Sequence, residues 1–532
     1  MKNKIIYLTY FLCLFCTAIV SSQNIVIADL NFKSRLLQSD IDVPIATNSD
    51  GLYIKIDDNN DGEIQQAEAD AVFKLDISNS AISSLQGITS FTNLRTLYTL
   101  YNNLDTLNLN NMVYLDWVDC NNNTISSINI SGCPNLHVLN APDNALTALD
   151  LSNATNLLKL NVSYNMLTAL DLSNNPQLIE LNCSMNNLAN LNITGLNVLE
   201  QLYCNHNQLV GLDLSTNVGL YIFNAEYNLL TGLDFSTSPY LHLVICDYNE
   251  LASLNVANCT LLTTLYCSNN LLSSLNLAGC NALSSLRCDQ NSLSSLNLQL
   301  NNNLTNIKCE NNELTQLTTG SGPLSVLSCN NNLLTTLDLT NYPNMNELYC
   351  NNNLLQSLDL RSNPQLKILT SGHNSLTDLD LSFNTTLISF DCSFNQLTSL
   401  NINNGITETG INFSDNSDLQ QLCADAEQLD QVQSLVTSYG YAFTVTANCN
   451  LAVDPFVTEK PTISVYPNPL TDVMQINFGN AILSATIVDM NGRIVQSRVS
   501  SENTMDVSAL AKGIYVVNVV TESGNYGLKV VK

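Results

Sequence analysis

The chain has 532 residues, of which 12% are charged, and its formal net charge is −28. Its 18 Lys and Arg residues against 46 Asp and Glu argue against a nucleic-acid-binding protein, because such binding requires a basic surface. The same balance argues against docking on an anionic membrane surface. The composition fits an exported protein, or a protein that recruits cations.

The first 22 residues predict a signal peptide. Lys2 and Lys4 precede an apolar run over residues 5–20, and small polar residues lead to a predicted cleavage site before Gln23. The alternative is an uncleaved membrane anchor. We favour cleavage because polar segments follow, and no second apolar run approaches the about 20 residues of a membrane span.

Residues 57–68 carry a candidate metal site within a predicted N-terminal cap at 23–74. They read Asp-Asp-Asn-Asn-Asp-Gly-Glu-Ile-Gln-Gln-Ala-Glu, which matches the pattern D-x-[DN]-x-[DN]-G-x5-E and resembles the EF-hand calcium loop. The resemblance implies Ca²⁺ as a cofactor, bound by oxygen ligands. The implied ligands are Asp57, Asn59, Asp61, the Glu63 carbonyl and Glu68.

The resemblance covers this loop and a predicted helix over 65–73. Residues 52–56 alternate like a strand where an EF-hand has its entering helix, and no second loop follows. The alternative is therefore an Asp- and Asn-rich turn that works without metal. In both interpretations the segment, with a further helix over 32–37, covers the open end of the repeats that follow, because terminal coils need a cap. The predicted role of calcium is structural.

A repeat of 21 residues occupies residues 75–420. Its template is L-x-x-L-x-C-x-x-N-x-L-x-x-L-x-L followed by a turn, as at 262–277. The asparagine recurs at sixteen positions from Asn102 to Asn416, in fourteen steps of 21 and one of 20. One coil cannot bury its own leucines, so the coils must stack into a solenoid with a continuous core.

The first half of each unit predicts a short strand, and successive strands are expected to pair in parallel about 4.8 Å apart. The asparagine is predicted to face inward and to bond open backbone groups of the turn, which forms a ladder. L-x-x-L-x-L recurs in the second half of the unit and predicts a second narrow sheet on the back. The repeat resembles the bacterial leucine-rich repeat family in its secreted 21-residue type. The resemblance implies a solenoid that displays a binding surface.

Ten cysteines share the inward position after the strand leucine, where other coils place Ala or Val. This sharing predicts buried free thiols and not metal ligands, which would have to converge on one point. Three further cysteines share the turn after the back segment, and pairing of Cys259 with Cys280 is left open. Cys423 and Cys449, which flank the C-terminal cap, are the predicted disulfide. The ten are Cys120, Cys183, Cys204, Cys246, Cys267, Cys288, Cys309, Cys329, Cys350 and Cys392.

After residue 420 the period breaks. Apolar residues at helical spacing over 426–436 predict a capping helix within a C-terminal cap at 421–450, and a linker follows at 451–462. Residues 463–532 contain valine-rich alternating runs separated by turn signals, which predict a small β-sandwich.

Four segments of this last module carry a family resemblance. They are Val-Tyr-Pro-Asn-Pro at 465–469, Asp-Met-Asn-Gly-Arg at 489–493, Val-Ser-Ala-Leu-Ala-Lys-Gly-Ile-Tyr at 507–515 and Lys-Val-Val-Lys at 529–532. In this order they are similar to the type A C-terminal sorting domain of the type IX secretion system. The resemblance implies a Bacteroidota-type source and passage across the outer membrane by that machinery. In the family the domain is usually removed, and the protein is released or attached to surface lipopolysaccharide. The alternative is an appended β-sandwich used for binding.

The outward positions of the predicted strands lie two, four and six residues before each ladder asparagine. They combine aromatic, acidic and amide side chains on one long face, and the chain's single Trp is among them. Such side chains suit protein anchors or sugar stacking, whereas the alternative is that the aromatic residues only pack across neighbouring strands. The candidate ligand-binding residues are Tyr98, Trp117, Asp119, Tyr203, Glu226, Asp247, Tyr266 and Tyr349.

The sequence as a whole predicts a mainly β protein: a leucine-rich repeat solenoid with small helical caps and a C-terminal β-sandwich. The predicted function is recognition or adhesion, by a secreted or outer-membrane surface protein that binds a protein or a glycan on its strand face. A structural component of the cell surface or biofilm, without a single ligand, is the alternative. An enzyme is not favoured, because the four histidines stand coils apart and no nucleophile elbow, phosphate loop or zinc spacing occurs. The expected partners are the ligand and the type IX machinery, with no nucleic acid and no membrane-spanning segment in the mature chain.

Overall fold

The computed structural model describes residues 23–447, 464–477, 482–489, 493–498, 504–521 and 524–532. The predicted signal peptide at 1–22, Cys449 and the linker at 451–462 lie outside the described residues. The chain divides into two compact units, Met1–Cys449 and Asn450–Lys532. No helix in the described ranges is long and apolar enough to cross a membrane.

The N-terminal cap is built on helix α1, Leu30–Leu37. Asp29 begins the helix, since one of its carboxylate oxygens accepts the N–H groups of Asn31 and Phe32, each at 2.9 Å. The other oxygen accepts the Ser83 N–H at 2.8 Å, which fastens the helix to the first coil. Phe32 is fully buried, so the apolar side of α1 closes the end of the core.

Helix α2, Gln66–Asp70, follows the candidate calcium loop and is shorter than the predicted 65–73. The helix ends at Asp70, and the chain enters the first coil strand at Lys74. The first coil also contains a 3₁₀ turn, Ile88–Ser90. A two-residue strand, Ala46–Thr47, pairs antiparallel with the first coil strand. It covers a sheet edge that would otherwise offer unpaired N–H and C=O groups.

The front sheet is an 18-stranded sheet made of Ala46–Thr47 and one strand from each of seventeen coils. The coil strands are parallel and in register, so that Leu181, for example, aligns with Leu202, and both are fully buried. Each coil strand is three residues long, so its middle side chain enters the core while the first and third face outward. The coil strands are Lys74–Asp76, Thr96–Tyr98, Trp117–Asp119, Val138–Asn140, Lys159–Asn161, Glu180–Asn182, Gln201–Tyr203, Ile222–Asn224, Leu243–Ile245, Thr264–Tyr266, Ser285–Arg287, Asn306–Lys308, Val326–Ser328, Glu347–Tyr349, Ile368–Thr370, Ser389–Asp391 and Gly410–Asn412.

The ladder asparagines connect each coil to the coil before it. Asn186 Oδ1 accepts the Leu167 N–H at 2.9 Å, and its Nδ2 donates to three backbone carbonyls at 2.9–3.2 Å, among them that of Val162. The same pattern recurs from Asn102 to Asn416. Since the buried amide uses its acceptor and its donors, no other side chain of this size satisfies the turn. The predicted inward ladder is confirmed.

The back of the solenoid contains extended segments, but they pair in four separate pieces. The sequence predicted extended backbone here correctly, while the continuous second sheet it suggested is not formed among the described residues. The pieces are Thr106–Asn108 with Ser127–Asn129, Gly232–Asp234 with Ser253–Asn255, Ser295–Asn297 with Gln316–Thr318, and Asp378–Asp380 with Ser399–Ile402 and Gln421–Ala424.

A second polar column lies in the turn after these back segments. The sequence predicted that Cys133, Cys259 and Cys280 share this turn, but it did not predict the asparagines of the same column. Asn217 Nδ2 donates to the carbonyls of Ile193 and Leu196 at 3.1 and 2.9 Å, whereas its Oδ1 accepts no hydrogen bond from the described residues. This position therefore uses only a donor. A thiol also supplies one: in other coils Cys133 donates to a carbonyl at 3.1 Å and Cys259 at 3.6 Å. The Cys259–Cys280 pairing left open by the sequence is not formed, because both thiols are free and buried.

The ten cysteines of the inward column are free and fully buried. Burial raises the pKa of Cys183 to about 12 and that of Cys350 to about 12. These thiols are thus small apolar core side chains that stay protonated, as their sharing of a position with Ala and Val predicted.

The C-terminal cap of the solenoid consists of a 3₁₀ turn, Ala426–Gln428, and helix α3, Leu429–Ser438. Glu408 is completely buried beneath it. Its carboxylate accepts Asn404 Nδ2 at 2.7 Å and Gln428 Nε2 at 2.8 Å, so the cap is held by a buried polar network. Cys423 is disulfide-bonded, and its predicted partner, Cys449, lies outside the described residues.

The C-terminal unit contains two antiparallel sheets whose buried side chains share one core, which includes Met474 from one sheet and Val517 from the other. This is the predicted β-sandwich arrangement. The first sheet has the strands Ser464–Tyr466, Val473–Asn477 and Thr504–Asp506. The second has Ile482–Asp489, Ile494–Arg498, Ile514–Thr521 and Gly524–Val531.

Candidate ligand-binding face and calcium loop

The eight candidate ligand-binding residues lie along the front sheet or directly after its strands, but the structure does not gather them into one site. Four belong to consecutive coils, namely Tyr203, Glu226, Asp247 and Tyr266. The other four lie apart from these: Tyr98, Trp117 and Asp119 in the first coils and Tyr349 four coils beyond Tyr266.

All four candidate tyrosines are engaged within the sheet. The Lys74 ammonium lies 5.1 Å from the centre of the Tyr98 ring. The hydroxyls of Tyr203 and Tyr349 each donate to the first residue of their own strand, at 3.2 and 2.9 Å. The Arg287 guanidinium lies 4.4 Å from the centre of the Tyr266 ring. For these side chains the packing interpretation is favoured. Trp117 differs, because its side chain is exposed and is not involved in any ring contact within the described coils.

Two neighbouring coils carry a different surface, which we call the central patch: the outward side chains of residues 221–227 and 242–248. Ile222 aligns with Leu243 across the strand pair, and Asn224 aligns with Ile245. The three aliphatic side chains are half-buried. Most other coil strands place polar residues at these outward positions, as Thr264 does in the next coil. The central patch is thus apolar in its middle.

Aromatic stacks border the central patch on both sides. On one side Tyr221 and His242 have ring centroids 4.3 Å apart. On the other side the Tyr227 ring is stacked between His206, at 4.4 Å, and Tyr248, at 4.3 Å. These three residues precede ladder asparagines and have φ of 52–54°. The same left-handed backbone recurs before the other ladder asparagines, from Tyr101 to Asp415, so it belongs to the turn of the repeat and is not special to the central patch.

Two carboxylates lie between the apolar middle and the Tyr227 stack. Glu226 is half-buried, and Asp247, which the sequence analysis expected to face outward, is only 8% exposed. The Asp247 carboxylate accepts the Ser268 N–H at 2.5 Å. Burial, with the nearby charges of Asp289 and Glu226, raises the pKa of Asp247 to about 6 against the lowering effect of that N–H.

The aliphatic part of this patch was not predicted from the sequence. The candidate residues were aromatic, acidic and amide side chains at outward positions, and Ile222, Leu243 and Ile245 were not among them. The column seven residues before the ladder asparagine, which holds Tyr221 and His242, was not among the predicted outward positions either. The available signal was a local one: apolar residues at three outward positions of two successive coils.

The candidate calcium loop forms a closed turn that its own side chains hold. Asp57 is 7% exposed, and its two carboxylate oxygens accept the N–H groups of Asp61 and Gly62, both at 3.1 Å. Glu68 accepts the Asp58 N–H at 3.0 Å, which joins the end of the loop to its beginning. The Glu63 carboxylate pairs with Lys33 at 2.6 Å. The expected calcium ligand at this position is the backbone carbonyl of Glu63 and not this carboxylate.

The donor set of the loop is chemically suited to Ca²⁺, since carboxylate, amide and carbonyl oxygens are the ligands that calcium takes in proteins. The carboxylates are not gathered around one point, however, because the described residues contain no group of three or more His, Cys, Asp or Glu side chains placed to hold a metal ion. Gln65 Nε2 donates to Asp61 Oδ2 at 2.9 Å. A bound ion would have to replace this hydrogen bond and draw Asp57, Asp61 and Glu68 together.

Two recesses lie beside the back turns of the solenoid. One borders Gly320 and Tyr342, and the other borders Asn276 and Gln299. Neither is lined by a carboxylate, His, Cys or Lys side chain. The first recess does contain the hydroxyl groups of Ser321 and Tyr342, and the Tyr342 hydroxyl donates to the Gly320 carbonyl at 2.9 Å.

One family model and several solved structures match this chain. Residues 464–532 match the family described as a secretion system C-terminal sorting domain. The fold is similar to the functional domain of InlJ from Listeria monocytogenes, described as including a cysteine ladder, with 23% identity, 94% of this chain and 97% of that chain covered, and a TM-score of 0.57. It is also similar to the Arabidopsis receptor kinase HAESA, solved with the peptide hormone IDA and the co-receptor SERK1, with 20% identity, 66% of this chain and 67% of that chain covered, and a TM-score of 0.52. No curated protein sequence matches the chain.

By its fold the chain is a leucine-rich repeat solenoid, as the 21-residue repeat predicted. More particularly, it is a leucine-rich repeat protein that carries a C-terminal sorting domain. The sorting domain shows that it is secreted or attached to the outer-membrane surface.

Proposed function

We propose that this protein is a recognition or adhesion protein of the cell exterior, which binds a protein or glycan ligand on its front sheet and catalyses no reaction. The single observation that carries the proposal is the central patch. Exposed aromatic side chains, an apolar middle and two carboxylates meet there on a rigid parallel sheet, whereas most of the remaining front sheet is polar. Aromatic residues clustered on a rigid surface are typical of binding sites.

The test is binding of the purified chain, from residue 23 onward, to a glycan array and to surface proteins of neighbouring or host cells. The variant carries Tyr227→Ala and Tyr248→Ala. The matched control is Phe394→Ala, because Phe394 stacks on His373 at 4.2 Å in the same column of the ladder turn, several coils away. We expect the double variant to lose at least tenfold in affinity for the wild-type ligand and the control to keep it. Wild-type protein without any ligand, or equal binding by both variants, would favour the structural cell-surface alternative.

The sorting domain supports a further part of the proposal, an interaction with the type IX secretion machinery during export. Deletion of residues 464–532 in a native host is expected to leave the chain inside the outer membrane. Surface-exposed or released protein after this deletion would contradict that route.

We also propose that residues 57–68 bind Ca²⁺ through Asp57, Asn59, Asp61, the Glu63 carbonyl and Glu68. The oxygen donor set and the closure of the loop by Glu68 support this. The role would be structural, because the loop lies between helix α1 and the first coil and is tied to α1 by Lys33 and Glu63.

A further inference from the structure

The central patch lies within the part of the solenoid that lacks basic side chains. Between Lys159 and Arg287 the sequence contains eight Asp or Glu residues and neither Lys nor Arg. Two of these acids, Glu226 and Asp247, occupy equivalent positions in successive coils on the patch itself. The nearest basic side chain after the patch is Arg287, two coils beyond Asp247, whose charge acts on that carboxylate and whose guanidinium lies over the Tyr266 ring. The patch therefore attracts positive charge and repels negative charge.

The Tyr227 ring, in the middle of its stack, is less suited to sugar than to protein. Stacking on a sugar requires an open ring face, but both faces of Tyr227 are covered, by His206 at 4.4 Å and by Tyr248 at 4.3 Å. Tyr227 is nevertheless 43% exposed, so it presents its edge and hydroxyl. Edges and hydroxyls beside an apolar middle form the kind of surface that a protein side chain fills.

The buried carboxylate adds independent support. Asp247 is held with a raised pKa, close to 6, so its ionised form destabilises the free protein at neutral pH. An Asn side chain would accept the same Ser268 N–H without that cost. A charged group that destabilises the fold is typical of a functional position, where stability is given up for binding.

We propose that the central patch docks a partner protein segment in which an aliphatic side chain is flanked by Lys or Arg. The aliphatic side chain contacts Ile222, Leu243 and Ile245, and the cationic groups pair with Glu226 and Asp247. This inference rests on the proposed recognition function and narrows its ligand class. A docked cation also reduces the repulsion between the carboxylates of Glu226 and Asp247, and this reduction strengthens binding.

The experiment selects random 12-residue peptides displayed on phage against the immobilised full chain. The sequences expected to be enriched contain Leu, Ile or Val next to Lys or Arg. One such peptide is then synthesised and measured by fluorescence anisotropy, beside versions with the aliphatic residue changed to Ser or the basic residues changed to Gln. We expect each change to weaken binding at least tenfold.

Protein variants locate the site. Leu243→Ser and, separately, Glu226→Gln are expected to weaken peptide binding at least tenfold, while Phe394→Ala leaves it unchanged. Circular dichroism checks that both variants keep the wild-type fold, so that loss of binding is not caused by unfolding. High salt is expected to weaken peptide binding to the wild-type chain, because salt screens the attraction between charged groups.

Three outcomes would overturn the inference: enrichment of acidic or uncharged peptides, no enrichment at all, or binding that the patch variants leave unchanged. Glycan-array binding that Trp117→Ala abolishes and Leu243→Ser does not would also overturn it, while leaving the broader recognition function in place. Failure of both peptide and glycan binding would overturn the recognition function itself.

Discussion

The rings of Tyr227 and Tyr248, which occupy the same position in successive coils, stack with an interplanar angle of 7° and a centroid distance of 4.3 Å. Both residues have left-handed backbone, φ 52° and 54°. The coil spacing alone brings the rings to stacking distance, since neighbouring parallel strands lie about 4.8 Å apart. The repeat therefore converts identical residues in adjacent units into a continuous aromatic surface, and the same reasoning leads to the predictions below.

The ladder asparagine should be essential to the fold. Asn186→Ala removes one acceptor oxygen and one NH2 group from a buried turn and leaves the Leu167 N–H without its partner. We expect a loss of about 2–4 kcal/mol in the free energy of unfolding, measured by chemical denaturation. Asn205→Ala, an outward amide in the next coil, is the control and should change stability by less than about 0.5 kcal/mol. An equal effect of both changes would show that the amide ladder does not hold the coils together.

Asp247→Asn should stabilise the protein at neutral pH. Because the pKa of Asp247 is raised to about 6 in the folded state, from an ordinary value of 3.8, its ionisation favours the unfolded chain. The gain from Asn is largest above pH 6, about 1–3 kcal/mol, and shrinks as the pH falls toward 3.8. Unfolding curves of the two proteins at pH 7.5 and pH 4 test this. A variant that is less stable than the wild type at pH 7.5 would contradict it.

Calcium should raise the thermal midpoint of the full chain, and EDTA should reverse the effect, because a ligand that binds only the folded state stabilises it in proportion to RT ln(1 + [L]/Kd). Glu68→Gln should abolish most of this response. Glu63→Gln is the matched control, because position 63 is expected to contribute only its carbonyl and its side chain pairs with Lys33. No calcium response of the wild-type chain, or equal responses of the two variants, would leave the metal-free turn as the better account.

The buried thiols should be inert in the native protein. Thirteen cysteines of the described residues are free and buried, and burial raises their pKa, so the reactive thiolate is scarce. A chromogenic disulfide reagent is expected to react with them only after denaturation. Fast reaction of the native chain would mean that the core is open or that the thiols are poised for redox chemistry.

Mass spectrometry of protein isolated from the cell exterior tests the two processing predictions. We expect an N-terminus at Gln23, and a C-terminus from which the sorting domain at 464–532 has been removed, as its family implies. A surface form that retains residues 1–22 would instead support the membrane-anchor alternative.

The solenoid could be predicted well from the sequence because the same pattern of leucine and asparagine recurs in nearly every coil. A front turn must satisfy a donor and several carbonyls at once, so only Asn serves and its column is almost unbroken. The back turn, as at Asn217 and Cys259, needs only a donor to backbone carbonyls. Asn and Cys therefore both occur there, and the sequence pattern showed the shared position of the cysteines but not that of the asparagines.

The candidate site was less predictable, since burial depends on neighbours in adjacent coils. Asp247 has the same outward spacing as its counterparts, yet it is buried, because the Ser268 N–H of the next coil holds its carboxylate. Outward aliphatic residues such as Leu243 have no distinctive motif, and only the alignment of two strands shows that they form one surface.

The in-register stacking of seventeen coils has a consequence for the evolution of length. Each coil presents to the coil after it the same backbone edge that it receives from the coil before it, as the alignment of Leu202 with Phe223 and of Phe223 with Val244 illustrates. Duplication or loss of one whole unit therefore leaves the mating surfaces of both caps as they were. Copy number can change by unequal recombination without a new fold, and a two-coil ligand patch can be lengthened, moved or duplicated along the array in single genetic steps.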